Sequence, residues 1–146
     1  MKITLCGSIA FYDEMQKTKE KLEKLGHEVG IPPSEVKDGD GRTIPVKQYY
    51  EIRKGGTDKD DWIWDRKEEE MKKHFDKVVW SDAILVLNYT KNNIAGYIGA
   101  NTLLEMGLAF YLNKKIYLLN PIPKISYKEE ILGVKPILIN GDLSKI

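Results

Sequence analysis

The run A-I-L-V-L at residues 83–87 decides the fold. Five consecutive apolar residues with no polar alternation describe a strand covered on both faces, the pattern of a parallel sheet. It stops at Asn88-Tyr89. Upstream, a helix ends near Trp80; its charged start (residues 65–73) suits a solvated face, and Met71, Phe75, Val78 and Val79 form its inward stripe, with His74 beside them. Downstream, G-Y-I-G-A-N-T-L-L-E-M-G-L-A-F-Y at residues 96–111 is a loop of small and amide residues running into a helix apolar on nearly every face. A strand at 115–119 then ends at Asn120-Pro121, a short helix falls around 127–132, and a last strand at 136–139 closes on Asn140-Gly141.

The N-terminal side completes the pattern. Residues 3–6 read as a buried strand halted by Gly7-Ser8. Phe11, Met15, Leu22 and Leu25 fall at helical spacing over 11–25, with Thr18 filling the stripe and Gly26 at the C-terminal cap. A second strand, 27–31, stops at Pro32-Pro33. Five apolar strands alternating with helices predict one α/β domain over residues 1–146. The expected architecture is a flavodoxin-like (Rossmann-like) five-stranded parallel sheet of order 2-1-3-4-5 with helices on both faces. Ligands of such sheets bind beyond the carboxyl ends of the strands, where the strand order reverses. Here that point lies between the first and third strands.

Residues 32–65 interrupt the alternation with four glycines, Pro45, many charges and the aromatic pairs Tyr49-Tyr50 and Trp62/Trp64. A proline-started helix is expected at 45–54. Connections this long usually act as lids, binding loops or interfaces. Trp62 and Trp64 either stack on a base, anchor a partner subunit, or pin the insert to the domain.

Composition excludes several classes. A net charge of +1 gives no electrostatic footprint for nucleic acid. No apolar run is long enough to cross a membrane. The N-terminus enters a strand with no cleavable signal, and a single cysteine makes no internal disulfide, so a cytoplasmic location is expected. The Walker pattern, the G-x-G-x-x-G fingerprint, the nucleophile elbow and H-E-x-x-H are all absent. Two distant histidines and one cysteine predict no metal cluster, and no cofactor is expected.

Glu105 remains. It is the only ionisable side chain, tyrosine aside, between Asn101 and Leu112, and burying a charge is costly unless it is paired or used. One reading is a capping box, with Thr102 as N-cap and Glu105 three residues on. The other is a carboxylate facing a ligand held by backbone N–H groups of the preceding loop. The placement of this loop beside the crevice favours the second. A lone carboxylate with small-residue loops and nearby aromatics suits glycosyl chemistry, in which it attacks an anomeric carbon. The same group would equally serve to hold ribose hydroxyls.

C-G-S-I at residues 6–9, S-D-A-I-L-V-L-N at 81–88 and G-A-N-T-L-L-E-M-G-L-A at 99–109 resemble the nucleoside 2-deoxyribosyltransferase family and the related nucleotide N-glycosidases. The resemblance covers the first and last thirds of the chain and leaves the insert unmatched. It implies an enzyme that cleaves or exchanges the N-glycosidic bond of a (deoxy)nucleoside or nucleoside 5′-monophosphate through a covalent glycosyl-enzyme on Glu105. The implied sugar and phosphate contacts are Gly7, Ser8, Ile9, Asn88, Gly99, Ala100, Asn101, Thr102 and Asn120. Three family positions differ: the acidic residue before the third strand falls on His74, the tyrosine of the first strand on Thr4, and a polar residue before the glutamate on Gly99. His74 becomes a candidate general acid toward the leaving base. A homodimer or larger assembly is implied, with Ser126, Tyr127 or Lys128 reaching a neighbour's pocket. The alternative function is a nucleotide- or NAD-derivative-binding module without turnover; a third is a partner-binding domain that uses the insert.

Overall fold

The computed structural model describes residues 1–146. Its main sheet is built from β1 (Lys2–Cys6), β2 (Glu28–Gly30), β5 (Ala83–Val86), β6 (Lys115–Leu118) and β7 (Ile137–Leu138). All neighbours are parallel and the spatial order is β2-β1-β5-β6-β7. Counting only these strands, that is the expected 2-1-3-4-5 order. The central register sets Ile3 against Ala83 and Cys6 against Val86, so β1 and β5 end side by side.

Side chains alternate across a strand, which sorts the sheet into two faces. Ile3, Leu5, Ala83 and Leu85 pack with Met15 and Leu22 of α1 (Tyr12–Lys24). Cys6, Ile84, Val86, Ile116 and Leu118 pack with Val78 of α3 (Asp61–Trp80), Met106 and Ala109 of α4 (Ala100–Tyr111), and Ile131 of α5 (Lys128–Gly133). Helices therefore cover both faces. The parity of β1 sends Thr4 and Cys6 toward α3: the Thr4 hydroxyl donates to the Lys77 carbonyl at 2.8 Å.

Gly7 ends β1 because nothing larger fits. A Cβ there would stand 2.8 Å from the Leu87 carbonyl oxygen. No helix is long and apolar enough to cross a membrane.

The insert departs most from the sequence reading. It holds an antiparallel hairpin, β3 (Glu35–Lys37) and β4 (Thr43–Pro45), pairing Val36 with Ile44. Both are buried while their flanking residues are exposed. The turn is closed by Asp38, whose Oδ1 accepts from the Asp40 and Arg42 amides at 2.9 and 2.8 Å. Next, α2 spans Val46–Lys54, with Pro45 as its N-cap rather than its first residue. Helix α3 starts at Asp61, so Trp62 and Trp64 are helical. Trp62 lies under Gly39 and beside Tyr49, ring centroids 6.1 Å apart, and Trp64 donates its indole N–H to the Thr57 carbonyl at 2.8 Å. Both tryptophans pin the insert.

Two helical stripes are also corrected. Val79 and Leu25 are exposed at 54% and 56%. The inward face of α3 runs through Ile63, Met71, His74 and Val78, and Val79 lies about 100° round the helix from Val78.

Candidate active site

Helix α4 begins at Ala100, capped by Gly99 without a side-chain bond. The Gly99 carbonyl accepts from the Leu103 amide at 3.0 Å, so the helical ladder is already running at Thr102. The capping-box reading is thereby corrected. Thr102 is a buried third residue of the helix, and Glu105 sits in the second turn, 3% exposed.

Glu105 is the one buried carboxylate of the chain. It lines a cavity of about 780 Å³ that opens past the ends of β1 and β5. One turn before it on the same face, Asn101 donates from Nδ2 to Glu105 Oε1 at 2.9 Å. The Asn101 amide is held in that orientation by Lys67, whose Nζ donates to Oδ1 at 3.2 Å. On the other side stand Cys6 from β1 and His74 from α3. His74 Nε2 is 3.9 Å from Glu105 Oε1 and 3.8 Å from Cys6 Sγ.

Burial dominates the electrostatics. It raises Glu105 to about 7, against the hydrogen bond from the Cys6 thiol and the charge of Lys67. The Cys6 thiol is pushed well above its ordinary value, first by burial and then by the Glu105 charge. Burial and the Lys77 charge lower His74 to about 4, against the Leu5 carbonyl that favours its proton. Lys67 falls to about 8 through burial and the nearby Arg53, opposed by Glu105.

The structure thus brings the cysteine and one histidine together, where the sequence reading saw only distant residues. Cys6, His74 and Glu105 present donor atoms within 4.8 Å of one another. They are not arranged as a metal cage. The Leu5 carbonyl oxygen lies 3.1 Å from His74 Nε2; an oxygen with no proton of its own requires the histidine proton on Nε2. The free lone pair is then on Nδ1, which has no partner. Neutral His74 braces the end of β1 against α3.

Of the residues singled out from sequence, Gly7, Ser8, Ile9, His74, Gly99, Ala100, Asn101, Thr102 and Glu105 all line the cavity. Asn88 and Asn120 do not. They clasp each other between the ends of β5 and β6: Asn88 Oδ1 accepts from the Asn120 amide at 2.9 Å, and Asn120 Nδ2 donates to the Asn88 carbonyl at 3.1 Å. Tyr127 is likewise engaged within its own chain, donating to the Ile98 carbonyl. Tyr50 and Arg53 of α2, Lys67 of α3, and Lys91 and Tyr97 of the loop after β5 also line it, beside residues of the hairpin and the outer turns of α3. Sequence reasoning passed over them. Lys67 was within reach, since it lies seven residues before His74 on the same helical face; the loop residues carry no such signal.

These features define an α/β protein of the flavodoxin-like class with an enclosed carboxylate at its topological switch point. No protein-family model matches the chain, and no curated protein matches its sequence. The solved structures similar to it include two enzymes. One is a 2-deoxyribosyltransferase from Bacillus psychrosaccharolyticus, at 17% identity and a TM-score of 0.49, over 81% of this chain and 71% of that one. The other is a CMP N-glycosidase of Clostridium botulinum, at 17% identity and a TM-score of 0.48, over 96% of this chain and 90% of that one.

Proposed function

We propose that this protein cleaves or exchanges the N-glycosidic bond of a nucleoside or nucleoside 5′-monophosphate, with Glu105 as the nucleophile. The observation that carries this reading is the placement of Glu105. It is a buried carboxylate, oriented by Asn101, lining a cavity at the strand ends. An ionised Oε attacks C1′, the C1′–N bond breaks, and the sugar is held as an ester on Glu105. The departing base takes a proton, and water or a second base then accepts the sugar. The resemblance of the 99–109 motif supports the same chemistry.

A carboxylate that titrates near 7 is more nucleophilic than an ordinary glutamate, yet half of it remains ionised at neutral pH. Asn101 keeps one oxygen occupied and so fixes the direction of the other. His74, neutral and tied to Leu5, serves as a positioning residue for β1 and carries no mobile proton at pH 7. The proton for the base comes from water or from a second group at the cavity mouth.

A second reading has one observation behind it. The enclosure of Glu105 also suits a carboxylate that only holds ribose hydroxyls in a module without turnover. One experiment separates the two. Wild type and Glu105→Gln are incubated with ribo- and deoxyribonucleosides and their 5′-monophosphates, with and without a free acceptor base, and released base is followed by chromatography. The enzyme reading expects release by wild type and a loss of about a thousandfold or more in Glu105→Gln. Tight ligand binding with no release by wild type would establish the module instead.

A further inference from the structure

Five cations on the cavity wall, Lys37, Arg53, Lys67, Lys77 and Lys91, have no carboxylate partner. Arg53, Lys67 and Lys91 are each half-buried and line the same cavity as Glu105, and none is within ion-pair distance of an acidic group. The other basic residues there are engaged elsewhere: Arg66 pairs with Glu69, Lys73 with Glu69 and Glu70, half-buried Lys77 donates to the Ile31 carbonyl at 2.6 Å, and exposed Lys37 donates to the Thr43 hydroxyl at 2.6 Å. Holding unpaired positive charge out of water is costly.

Arg53 and Lys91 are held close together on the Tyr50 ring, while Lys67 donates to Asn101 Oδ1 at 3.2 Å on the same cavity wall. Lys91 Nζ donates to Ser8 Oγ at 2.9 Å and to the Tyr50 hydroxyl. It lies 5.0 Å from the Tyr50 ring centroid and 5.1 Å from that of Tyr97. The Arg53 guanidinium stands 5.3 Å from the same Tyr50 ring and 5.4 Å from Tyr49. Its charge is felt at Lys67. Lys54 also touches the Tyr50 ring, but it pairs with Glu51 and does not line the cavity. Burial pushes the Tyr50 phenol up, yet hydrogen bonds from Lys91 and Ser8 and the charges of Lys91 and Lys54 bring it below its ordinary value.

Such a nest is matched to a polyanion. One terminal phosphate carries a charge of about −2 near neutral pH, which leaves a cation of the three uncompensated and Glu105 on the same wall. A linked pair of phosphates supplies a third negative charge and enough oxygens to meet two cations, the Ser8 hydroxyl and the Tyr50 hydroxyl together. We infer that Arg53, Lys67 and Lys91, with Ser8 and Tyr50, form a pyrophosphate-binding site, and that the substrate is a nucleoside bearing a 5′-diphosphate or a diphosphate-linked group. Two of the five residues come from α2, so the ligand ties the insert to the sheet. The substrate-class part rests on the glycosidic reading of Glu105; the binding site does not.

Calorimetric titration of the full chain with inorganic phosphate and with inorganic pyrophosphate tests the site. Pyrophosphate is expected to bind about tenfold tighter than phosphate or better, and to weaken as salt is raised. Arg53→Gln and Lys91→Gln should each lose about tenfold in pyrophosphate affinity with unchanged far-UV circular dichroism, while Lys54→Gln leaves it unaltered. Equal affinity for the two anions would overturn the diphosphate assignment. Affinity that survives both cavity variants would overturn the site. Base release is then compared among nucleoside, 5′-monophosphate and 5′-diphosphate, and the diphosphate should give the highest kcat/KM. If pyrophosphate binds as stated but wild type releases no base from any of them, the glycosidic function falls and the anion site stands.

Discussion

Replacing Glu105 by glutamine should make this protein more stable at alkaline pH while removing its proposed chemistry. In the folded chain burial lifts the Glu105 carboxyl from 4.5 to about 7. Below 4.5 the acid is neutral in both folded and unfolded chains and its burial carries no charge penalty. Between 4.5 and 7 the unfolded chain releases this proton while the folded chain keeps it, so stability falls as pH rises. Above 7 the loss is complete. At about 1.4 kcal/mol per pKa unit, it amounts to roughly 3 kcal/mol. Glutamine has nearly the same shape, still accepts from Asn101, and never ionises. The variant is therefore expected to gain about 3 kcal/mol over wild type at pH 8, or roughly 6–12 °C in Tm for a chain of this size, and almost nothing at pH 4.5. His74 contributes a pH dependence of opposite sign, since its folded form resists protonation down to about 4. It is present in both proteins and cancels in the difference. Urea denaturation of both at a series of pH values measures the gap directly. A gap that does not widen between pH 4.5 and 8 would refute the claim that Glu105 is held in a desolvated, charge-destabilising site.

The same titration should govern rate: base release falls about tenfold per pH unit below 7 and levels off above it. His74→Asn should keep that midpoint to within about half a unit, because His74 is neutral throughout this range. Gly96→Ala is expected to cost more than about 3 kcal/mol, since its backbone is left-handed (φ +71°) and a Cβ would stand 2.4 Å from the Pro121 carbonyl oxygen. Gly26→Ala, left-handed (φ +93°) with nothing in the way, should cost only about 1 kcal/mol, and thermal melts of the pair separate clash from backbone strain. Trp62→Ala should cost roughly 2 kcal/mol and speed proteolysis within the hairpin turn, because that indole packs under Gly39 and against Tyr49.

The sheet was legible because its central strands β1, β5 and β6 are buried almost throughout: A-I-L-V-L reads as a covered strand, and alternation with helices implies parallel pairing. The hairpin at 35–45 was equally legible in principle, with E-V-K and T-I-P flanking D-G-D-G-R. It was missed because three-residue strands with one buried side chain each leave too short a period beside so many charges. The inward face of α3 was misplaced for a different reason. Two of its positions, 67 and 74, carry ionisable residues, so an apolar count slid the stripe onto Val79. That displacement marks where packing gives way to the site.

The cavity residues divide along the same line. Those on regular elements could be placed by parity and helical spacing once the order of the sheet was known. Cys6 shares the parity of Thr4, and His74 and Lys67 share a face seven residues long. Tyr50, Arg53 and Lys91 depend instead on how an irregular insert and a loop fold back over the strand ends, which no local period encodes. Glu105 itself was found by its cost: a charge in a greasy helix must be used or satisfied. The same reasoning extends to the cations around it. A carboxylate half-protonated at neutrality supplies only part of a charge to offset Arg53, Lys67 and Lys91. The cavity is therefore electrostatically incomplete in the direction of an anion, and binding one near Lys67 would relieve that lysine and repel Glu105 at once. Glu105 should consequently take up its proton more readily when pyrophosphate is bound, moving the midpoint above 7, whereas a neutral nucleoside should leave it in place.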